Sequence, residues 1–223
     1  MSRRHLAIGD IHGCAGALAA LLGAASPAPD DVVITLGDYV DRGPGSKQVI
    51  ELLLELGSRC RHIALRGNHE LMLLDAMRSE SWRGTWLNAG GKATLDSYGG
   101  SFADIPSAHL DFLTDGLQPF YECETHFFVH ANAQADRPLD QQSDAARYWQ
   151  KFRDPEPHMS GKVMVCGHTP QASGLPIRNQ HAICIDTKVY ANDGWLTCLD
   201  VDTGHIWQAN ESGDTRENQL AAI

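Results

Sequence analysis

Short apolar runs alternate with helical patterns over the first third of the chain. The runs at 6–8, 32–36 and 62–65 are bounded by polar residues or glycine, and this pattern predicts buried β-strands. Between them, residues 15–22 and 46–56 carry apolar side chains at helical spacing, which predicts a helix after each of the first two strands. Strands that alternate with helices favour an α/β layered domain with right-handed crossovers.

The rest of the chain is predicted to be helical at first and then to return to strands. The predicted elements are helices at 82–87, 92–98 and 107–114 and strands at 127–130, 163–167, 183–187, 196–202 and 205–209. The segment 131–161, rich in proline, aspartate and glutamine, is predicted to be a mobile or substrate-facing insertion, and the polar tail after Asn210 is predicted to fray. Because no repeat or linker interrupts the pattern, we expect residues 1–223 to form a single domain.

The amino-acid composition and net charge indicate which kinds of binding partner the chain can have. The chain has a formal net charge of −10, from 28 acidic and 18 basic side chains, with 43% hydrophobic residues. A globular core is expected from this balance, but a broad nucleic-acid footprint is disfavoured because it needs a basic face. An acidic protein that handles an anionic substrate must therefore concentrate positive charge locally, through metal ions or a few arginines.

The sequence also carries signals for the cellular compartment. No segment approaches the roughly 20 apolar residues of a membrane helix, so no membrane partner is expected. The first predicted strand begins directly after residues 1–4, which leaves no room for a signal peptide. The six cysteines contain no Cys-x-x-Cys pair and are expected to be reduced. These signals together predict a cytoplasmic protein.

Polar residues cluster where five of the predicted strands end. They are GDIHG at 9–13, GDYVDRG at 37–43, RGNHE at 66–70, His130, and GHT at 167–169. Because ligands bind at the carboxyl edge of α/β sheets, these aspartate, histidine and asparagine residues form a candidate ligand set of mixed nitrogen and oxygen atoms. Such a set suits Mn²⁺, Fe²⁺ or Zn²⁺ better than Ca²⁺.

The order of these motifs resembles the PPP-type metallophosphatases, the calcineurin-like family that includes the protein serine/threonine phosphatases. The resemblance runs from residue 6 to about residue 208, and the short chain is similar to the compact bacterial and bacteriophage lambda-type branch. It implies a four-layer α-β-β-α sandwich of two mixed sheets flanked by helices. It also implies two divalent metal ions at one edge, with Mn as the expected metal and Fe, Zn or Ni as alternatives.

The resemblance assigns a role to each motif residue. Asp38 is the implied ligand shared by both cations. The other implied ligands are Asp10 and His12 for one cation, and Asn68, His130 and His168 for the other. A hydroxide that bridges the two cations is expected to attack phosphorus in line, without a covalent phosphoenzyme.

The resemblance implies a proton donor and phosphate contacts as well. His69 is the implied general acid, and Asp41 is the partner that orients it. Arg42 and Arg66 are expected to grip the phosphoryl oxygens as bidentate donors. Lys151 stands near the position where many lambda-type relatives have an arginine, and it is the third expected substrate contact.

Four further features depart from the family pattern or need an assignment. Lys188 stands where relatives usually have glycine. The segment 86–99 resembles a signature of the lambda-type branch, and we expect its role to be structural. Glu70 is expected to open the next helix as part of the scaffold, and Cys14 is expected to pack as a small apolar residue.

Two enzymatic functions and one non-enzymatic function are compatible with the motifs. The leading hypothesis is a phosphomonoesterase that acts on phosphoserine or phosphothreonine in proteins, so the expected partner is a phosphorylated protein or a small phosphoester substrate. The alternative is a symmetrical dinucleoside tetraphosphate hydrolase, but that branch usually lacks the aspartate found at Asp41 and ends its third motif in aspartate, where this chain has Glu70. A pseudoenzyme would have lost a ligand or the acid, and neither is lost here.

Overall fold

The computed structural model describes residues 3–220, in which the strands form two mixed sheets. The first sheet contains β1 (His5–Ile8), β2 (Val32–Thr35), β3 (Arg61–Ala64), β9 (Leu196–Asp200), β10 (His205–Ala209) and β11 (Thr215–Gln219). The second contains β4 (Tyr121–Glu122), β5 (His126–Phe128), β6 (Val163–Cys166), β7 (Ile177–Arg178) and β8 (Ala182–Cys184). The strand order is β11-β10-β9-β1-β2-β3 in the first sheet and β4-β5-β6-β8-β7 in the second.

The parallel strands form one half of the first sheet, including its β3 edge, and the centre of the second sheet, and the remaining strands are antiparallel. β1, β2 and β3 are parallel, and β5, β6 and β8 are parallel. The helices are α1 (Ala15–Ala25), α2 (Ser46–Arg59), α3 (Asn68–Arg78), α4 (Glu80–Trp86), α5 (Lys92–Tyr98) and α6 (Ser107–Thr114). α1 and α2 provide the crossovers between the first three strands, as the alternating pattern predicts.

Alternation of side chains along the strands builds the layers. In β6, Val165 points into the cluster between the two sheets, whereas Met164 and Cys166 point to the outer face of the second sheet. That outer face is covered by Leu139 and Phe152 from the segment 131–161. This layer contains a short 3₁₀-helix (Leu139–Gln141) and a π-helix (Ala145–Trp149), so it is less regular than the helical layer on the first sheet.

Most predicted elements are confirmed, and one prediction is wrong. The described part of the tail after Asn210 does not fray, because β11 pairs with β10 from His205↔Gln219 to Ala209↔Thr215; residues 221–223 lie outside the described residues. Its polar side chains have partners, since Arg216 donates to Gln208 at 2.9 Å and stacks on the Trp195 ring at 4.0 Å. An edge strand can be polar on both faces, so its sequence lacks the apolar alternation that marks the others.

Smaller differences concern the ends of elements. The strand expected at 183–187 is observed only at Ala182–Cys184, because the chain then turns toward the edge where the motif residues lie. The two-residue strands β4 and β7 were not predicted. Within residues 3–220, no helix has the length and apolar character needed to cross a bilayer.

Candidate metal centre and active site

The parallel strands of both sheets end at one edge, where the motif residues form a buried polar cluster. These residues are Asp10, His12, Asp38, Asn68 and His69 from the first sheet, and His130 and His168 from the second. None of the seven is more than 8% exposed. The sheets are linked here by the backbone N–H of His168, which donates to both carboxylate oxygens of Asp10 at 3.1 and 3.0 Å.

Three side-chain atoms that can bind a cation converge beside Asp38. Oδ1 of Asn68 lies 2.9 Å from Nε2 of His130 and 2.9 Å from Nδ1 of His168. Nε2 of His130 is also 3.4 Å from Oδ1 of Asp38. The ligand atoms of Asp38, His130 and His168 all lie within 4.8 Å of one another, so one metal ion could contact all three.

The imidazole rings of His130 and His168 each donate their N–H hydrogen to a backbone carbonyl outside this group. A carbonyl oxygen can only accept, so Nδ1 of His130 carries the proton that it donates to the Leu36 carbonyl at 2.8 Å. For the same reason, Nε2 of His168 donates to the Trp149 carbonyl at 3.2 Å. Burial lowers the pKa of His130 and brings the pKa of His168 to about 3, which keeps both rings neutral. Nε2 of His130 and Nδ1 of His168 therefore carry no hydrogen atom and turn their lone pairs toward Oδ1 of Asn68. A divalent cation fits between groups that all present lone pairs.

A second ligand group shares Asp38 with the first. The ligand atoms of His12, Asp38 and His69 lie within 4.8 Å of one another, and Nε2 of His12 is 3.5 Å from Oδ2 of Asp38. Nδ1 of His12 donates to the Val40 carbonyl at 3.1 Å, which leaves Nε2 to face the group. Asp10 is outside both groups because its carboxylate turns toward the backbone of His168. Its assignment as a metal ligand stays a prediction.

The carboxylates of the cluster need a cation for charge balance. Burial raises the pKa of Asp10 well above its ordinary value, and the nearby Asp186 and Asp38 raise it further. Burial alone would also raise the pKa of Asp38, whereas positive charge on the facing imidazoles of His130, His69 and His12 would hold it below its ordinary range. A bound cation would supply that positive charge while the rings stay neutral. Buried like charges of this kind are stabilised when a metal ion lies between them.

Asp186 belongs to this cluster and was missed by the sequence analysis as a site residue. It follows β8, is 1% exposed, and accepts the backbone N–H of Lys188 on Oδ1 at 3.0 Å. Its Oδ2 is buried without a hydrogen-bond partner among the described residues. Burial raises the pKa of Asp186 to about 6. The signal that could have found it is its place at the end of an apolar run, which it shares with Asp10 and Asp38.

His69, which is also a member of the second ligand group, forms a buried dyad with Asp41. Nδ1 of His69 and Oδ2 of Asp41 are 2.7 Å apart. Burial lowers the pKa of His69, but Asp38 and Asp41 outweigh it, so the net shift is upward. Because Nδ1 is held by Asp41, Nε2 is the nitrogen that can exchange a proton with a substrate.

Arg42 lies directly over this dyad. Its guanidinium donates to Nε2 of His12 at 2.8 Å and to Nε2 of His69 at 3.1 Å. The guanidinium also stacks on Tyr190, 4.4 Å from the ring centroid. Tyr190 was not singled out in the sequence, since no strand-end pattern marks it.

The other two predicted substrate contacts lie at different places. Lys151 donates from Nζ to the backbone carbonyl of His168 at 2.9 Å, so it is adjacent to a ligand. Arg66 donates from Nη2 to the carbonyl of Thr114 at 2.6 Å, at the end of α6, and its Nε is buried without a partner among the described residues. The structure therefore brings Arg42 and Lys151 to the ligand residues, whereas Arg66 contacts the scaffold.

Glu70 holds the loop that carries Asp38. Its carboxylate accepts the backbone N–H groups of Asp38 at 2.9 Å, Tyr39 at 2.8 Å and Gly67 at 2.9 Å. Gly67 is required at this point, because a Cβ there would lie 2.2 Å from Oδ1 of Asp38. This scaffold role agrees with the expectation for Glu70, although it works through the loop as well as through the start of α3.

Backbone strain is concentrated in the site. Seven described residues other than glycine have positive φ. One of them, Ser26, ends α1, and the other six lie at the site. The latter are His12, Asp38, Asp41, Arg42, His168 and Lys188. Left-handed backbone is costly for residues with a Cβ and persists where surrounding contacts impose it. Lys188, with φ of 57°, therefore carries strain that a glycine at this position would avoid.

Comparison with known proteins agrees with this geometry. The sequence profile of the calcineurin-like phosphoesterases matches residues 3–198. Serine/threonine-protein phosphatase 1 of Salmonella typhimurium is 42% identical over 160 residues, which cover 68% of this chain and 65% of that protein. The symmetrical bis(5'-nucleosyl)-tetraphosphatase of Pectobacterium carotovorum is 46% identical over 68 residues, or 30% of this chain and 24% of that protein. Both matches span less than two thirds of the relative's length.

Solved structures agree on the architecture. A crystal structure described as a candidate diadenosine tetraphosphatase superposes with a TM-score of 0.68 at 22% identity, covering 100% of this chain and 96% of that chain. At this level of identity the likeness shows the fold alone. It confirms the predicted α/β arrangement of two mixed sheets flanked by helices.

Asp38 should control metal binding at both ligand groups. We expect Asp38→Asn, which keeps an oxygen and tolerates the positive φ, to weaken divalent-cation binding by at least about tenfold, because the shared charge is lost. Metal content measured after dialysis against Mn²⁺ checks this, with the exposed Asp140→Ala as the control. Two tightly held ions in Asp38→Asn would contradict the shared role.

Backbone strain at Lys188 should lower the free energy of unfolding of the protein. We expect the free energy of unfolding of Lys188→Gly to exceed that of Lys188→Ala by up to about 1 kcal/mol, because only glycine removes the cost of the left-handed backbone. Both variants lack the amine, so the comparison isolates the strain. Chemical denaturation measures the difference, and equal stability of the two variants would show that the backbone is not strained there.

Proposed function

The chain belongs to the calcineurin-like phosphoesterase family, and on that premise we propose that it hydrolyses phosphomonoesters, with phosphoserine and phosphothreonine in proteins as substrates. The observation that carries this proposal is the pair of ligand groups that share Asp38 and adjoin the His69–Asp41 dyad. Cation sites next to a buried proton donor are suited to the transfer of a phosphoryl group to water. The similarity to a bacterial serine/threonine phosphatase supports the choice of substrate.

The proposed cofactor is a pair of divalent metal ions, with Mn²⁺ as the expected metal. Asp38 would be shared, with Asn68, His130 and His168 on one side and His12 on the other, where Asp10 would complete the set. Arg42, which donates to Nε2 of His12 in this structure, would have to release that nitrogen to the cation. When bound, the ions would supply Lewis acidity that activates water and neutralises phosphoryl oxygens. Mixed imidazole, amide and carboxylate donors suit Mn, Fe, Zn or Ni better than Ca²⁺.

The side chains of the protein are proposed to deliver a proton to the leaving group and to bind the phosphoryl oxygens. Asp41 accepts the Nδ1–H of His69 at 2.7 Å, which fixes the ring so that Nε2 faces the cluster. His69, as an imidazolium, would donate an Nε2 proton to the oxygen of the leaving alcohol as the phosphorus–oxygen bond breaks. Because Arg42 donates to Nε2 in this structure, its guanidinium would first have to turn to the phosphoryl oxygens. Arg42, already beside Nε2 of His69, would bind phosphoryl oxygens through its planar guanidinium. Lys151 and Arg66 are the further proposed contacts, and Arg66 would need to leave the Thr114 carbonyl to take part.

A tetraphosphate hydrolase is the second candidate, supported by the match to the Pectobacterium protein. The observation that favours the monoesterase over it is Asp41. Its carboxylate is fully buried and pairs with His69, and relatives of the tetraphosphatase branch usually lack this aspartate. We also propose a cytoplasmic location, since the six cysteines lie in the described part of the chain and all are free thiols.

Loss of the proton donor should depend on the leaving group. We expect His69→Asn to lower kcat by roughly 10² to 10⁴ for alkyl phosphates such as phosphoserine peptides, because a poor leaving group needs the proton. The loss for p-nitrophenyl phosphate should be much smaller. Steady-state kinetics on both esters measure the difference at equal metal content. Equal losses on the two esters would rule out His69 as the general acid.

Substrate preference should separate the two candidate activities. We expect kcat/KM for a phosphoserine peptide to exceed that for diadenosine tetraphosphate, with Mn²⁺ at matched pH and ionic strength. A tetraphosphate hydrolase must hold a long polyanion and two nucleosides, so it needs more cationic contacts than Arg42, Arg66 and Lys151 offer. A tenfold preference for the dinucleotide, about 1.4 kcal/mol in transition-state binding, would overturn the protein-phosphatase assignment and leave the metal chemistry standing.

A further inference from the structure

The carboxylate of Asp41 is held by two donors besides His69. Nε1 of Trp86 lies 3.0 Å from each of its oxygens. The hydroxyl of Thr94 donates to Oδ1 at 2.7 Å and accepts the backbone N–H of Asp41 at 2.8 Å. Ser46 adds a further contact, with its Oγ 3.2 Å from the same backbone nitrogen. Every oxygen of Asp41 therefore has a fixed partner, and Oδ2 is the one that faces His69.

The donors come from a segment with unusual backbone. α4 ends at Trp86, α5 begins at Lys92, and the residues that join them (Leu87–Gly91) form a kink between the two helices. Gly90 has φ of 112° within this stretch, and its carbonyl accepts the backbone N–H of Arg42 at 3.2 Å. A Cβ at Gly90 would lie 2.9 Å from the backbone nitrogen of Arg42. The positive φ and the close approach to Arg42 both require glycine at this position.

The turn that carries Asp41 needs to be held. Asp41 and Arg42 both have left-handed backbone, with φ of 73° and 71°. Two successive strained residues are stable only when surrounding contacts determine their conformation. Asp41 is also fully buried, so its carboxylate depends on protein donors in place of water. Trp86, Gly90 and Thr94 supply contacts to both residues of this turn.

We propose that Trp86, Gly90 and Thr94 form a positioning clamp that fixes Asp41 and Arg42 and thereby aligns His69. This inference rests on the proposed function, since it assigns the clamp to the proton donor of that reaction. The three residues touch neither the ligand groups nor the substrate in this account, so they act through Asp41 and Arg42. The segment 86–99, expected to be structural, then sets catalytic geometry through specific hydrogen bonds.

Thr94 offers the sharpest test because its hydroxyl can be removed and restored. Thr94→Val keeps the shape and loses the donor, whereas Thr94→Ser keeps the hydroxyl. We expect Thr94→Val to lower kcat for a phosphoserine peptide by about tenfold with little change in KM, because a misaligned dyad loses transition-state stabilisation. The loss should be smaller for p-nitrophenyl phosphate, metal content should be unchanged, and Thr94→Ser should retain most of the rate.

A double-mutant cycle tests whether Thr94 acts through Asp41. In an Asp41→Asn background, Thr94→Val should cause no further loss, because the group that it positions has changed. Multiplicative losses, or a Thr94→Val variant that is less stable but has unchanged kcat, would overturn the clamp. Trp86→Phe, which removes only the indole donor, provides the same comparison if Thr94→Val does not fold.

A spectroscopic measurement separates failure of the clamp from failure of the proposed function. In the Zn²⁺-loaded protein, the Nδ1–H of His69 should give a downfield proton resonance that is lost in His69→Asn. We expect this resonance to shift or broaden in Thr94→Val and to return in Thr94→Ser, whatever ester the enzyme hydrolyses. An unchanged resonance in Thr94→Val would overturn the clamp even if the phosphatase activity is confirmed.

Discussion

The buried carboxylate of Asp38 is the feature on which the rest of the site depends. It lies where the carboxyl ends of two sheets meet, and both candidate ligand groups include it. A charge removed from water is stable only beside opposite charge or hydrogen-bond donors. Histidines from both sheets, the backbone N–H of His69, and a closely packed Gly67 surround Asp38. The fold brings these groups together because parallel strands place their carboxyl ends on the same edge.

Buried hydrogen bonds hold the loops of the site in backbone conformations with positive φ. Loops that turn sharply after a strand can aim a side chain at a common centre, but they adopt backbone conformations that are costly for residues with a Cβ. Glu70 holds the loop of Asp38 through three backbone N–H groups at 2.8 to 2.9 Å, and Trp86 and Thr94 hold the turn of Asp41. The scaffold thus stabilises a geometry that the loops would not adopt alone, which is how preorganised sites are built.

The sequence predicts which polar side chains meet at one edge of the sheets, because each motif follows a strongly apolar strand and the ends of such strands can be recognised from the local pattern. The dyad followed from the resemblance, and the structure places its members 2.7 Å apart. What could not be predicted depends on side chains that meet across long separations, such as Trp86 with Asp41 or Arg66 with Thr114. The polar strand β11 was missed because pairing at a sheet edge leaves no apolar alternation in the sequence.

The central claim is that Asp38 is shared between two metal ions held by side chains from both sheets. Anomalous diffraction from crystals of the Mn²⁺-loaded protein tests it directly, because it locates the ions without reference to activity. The account predicts two anomalous peaks, both in contact with the Asp38 carboxylate, one of them also bound by Asn68, His130 and His168. A single peak, or two peaks of which only one touches Asp38, would contradict it.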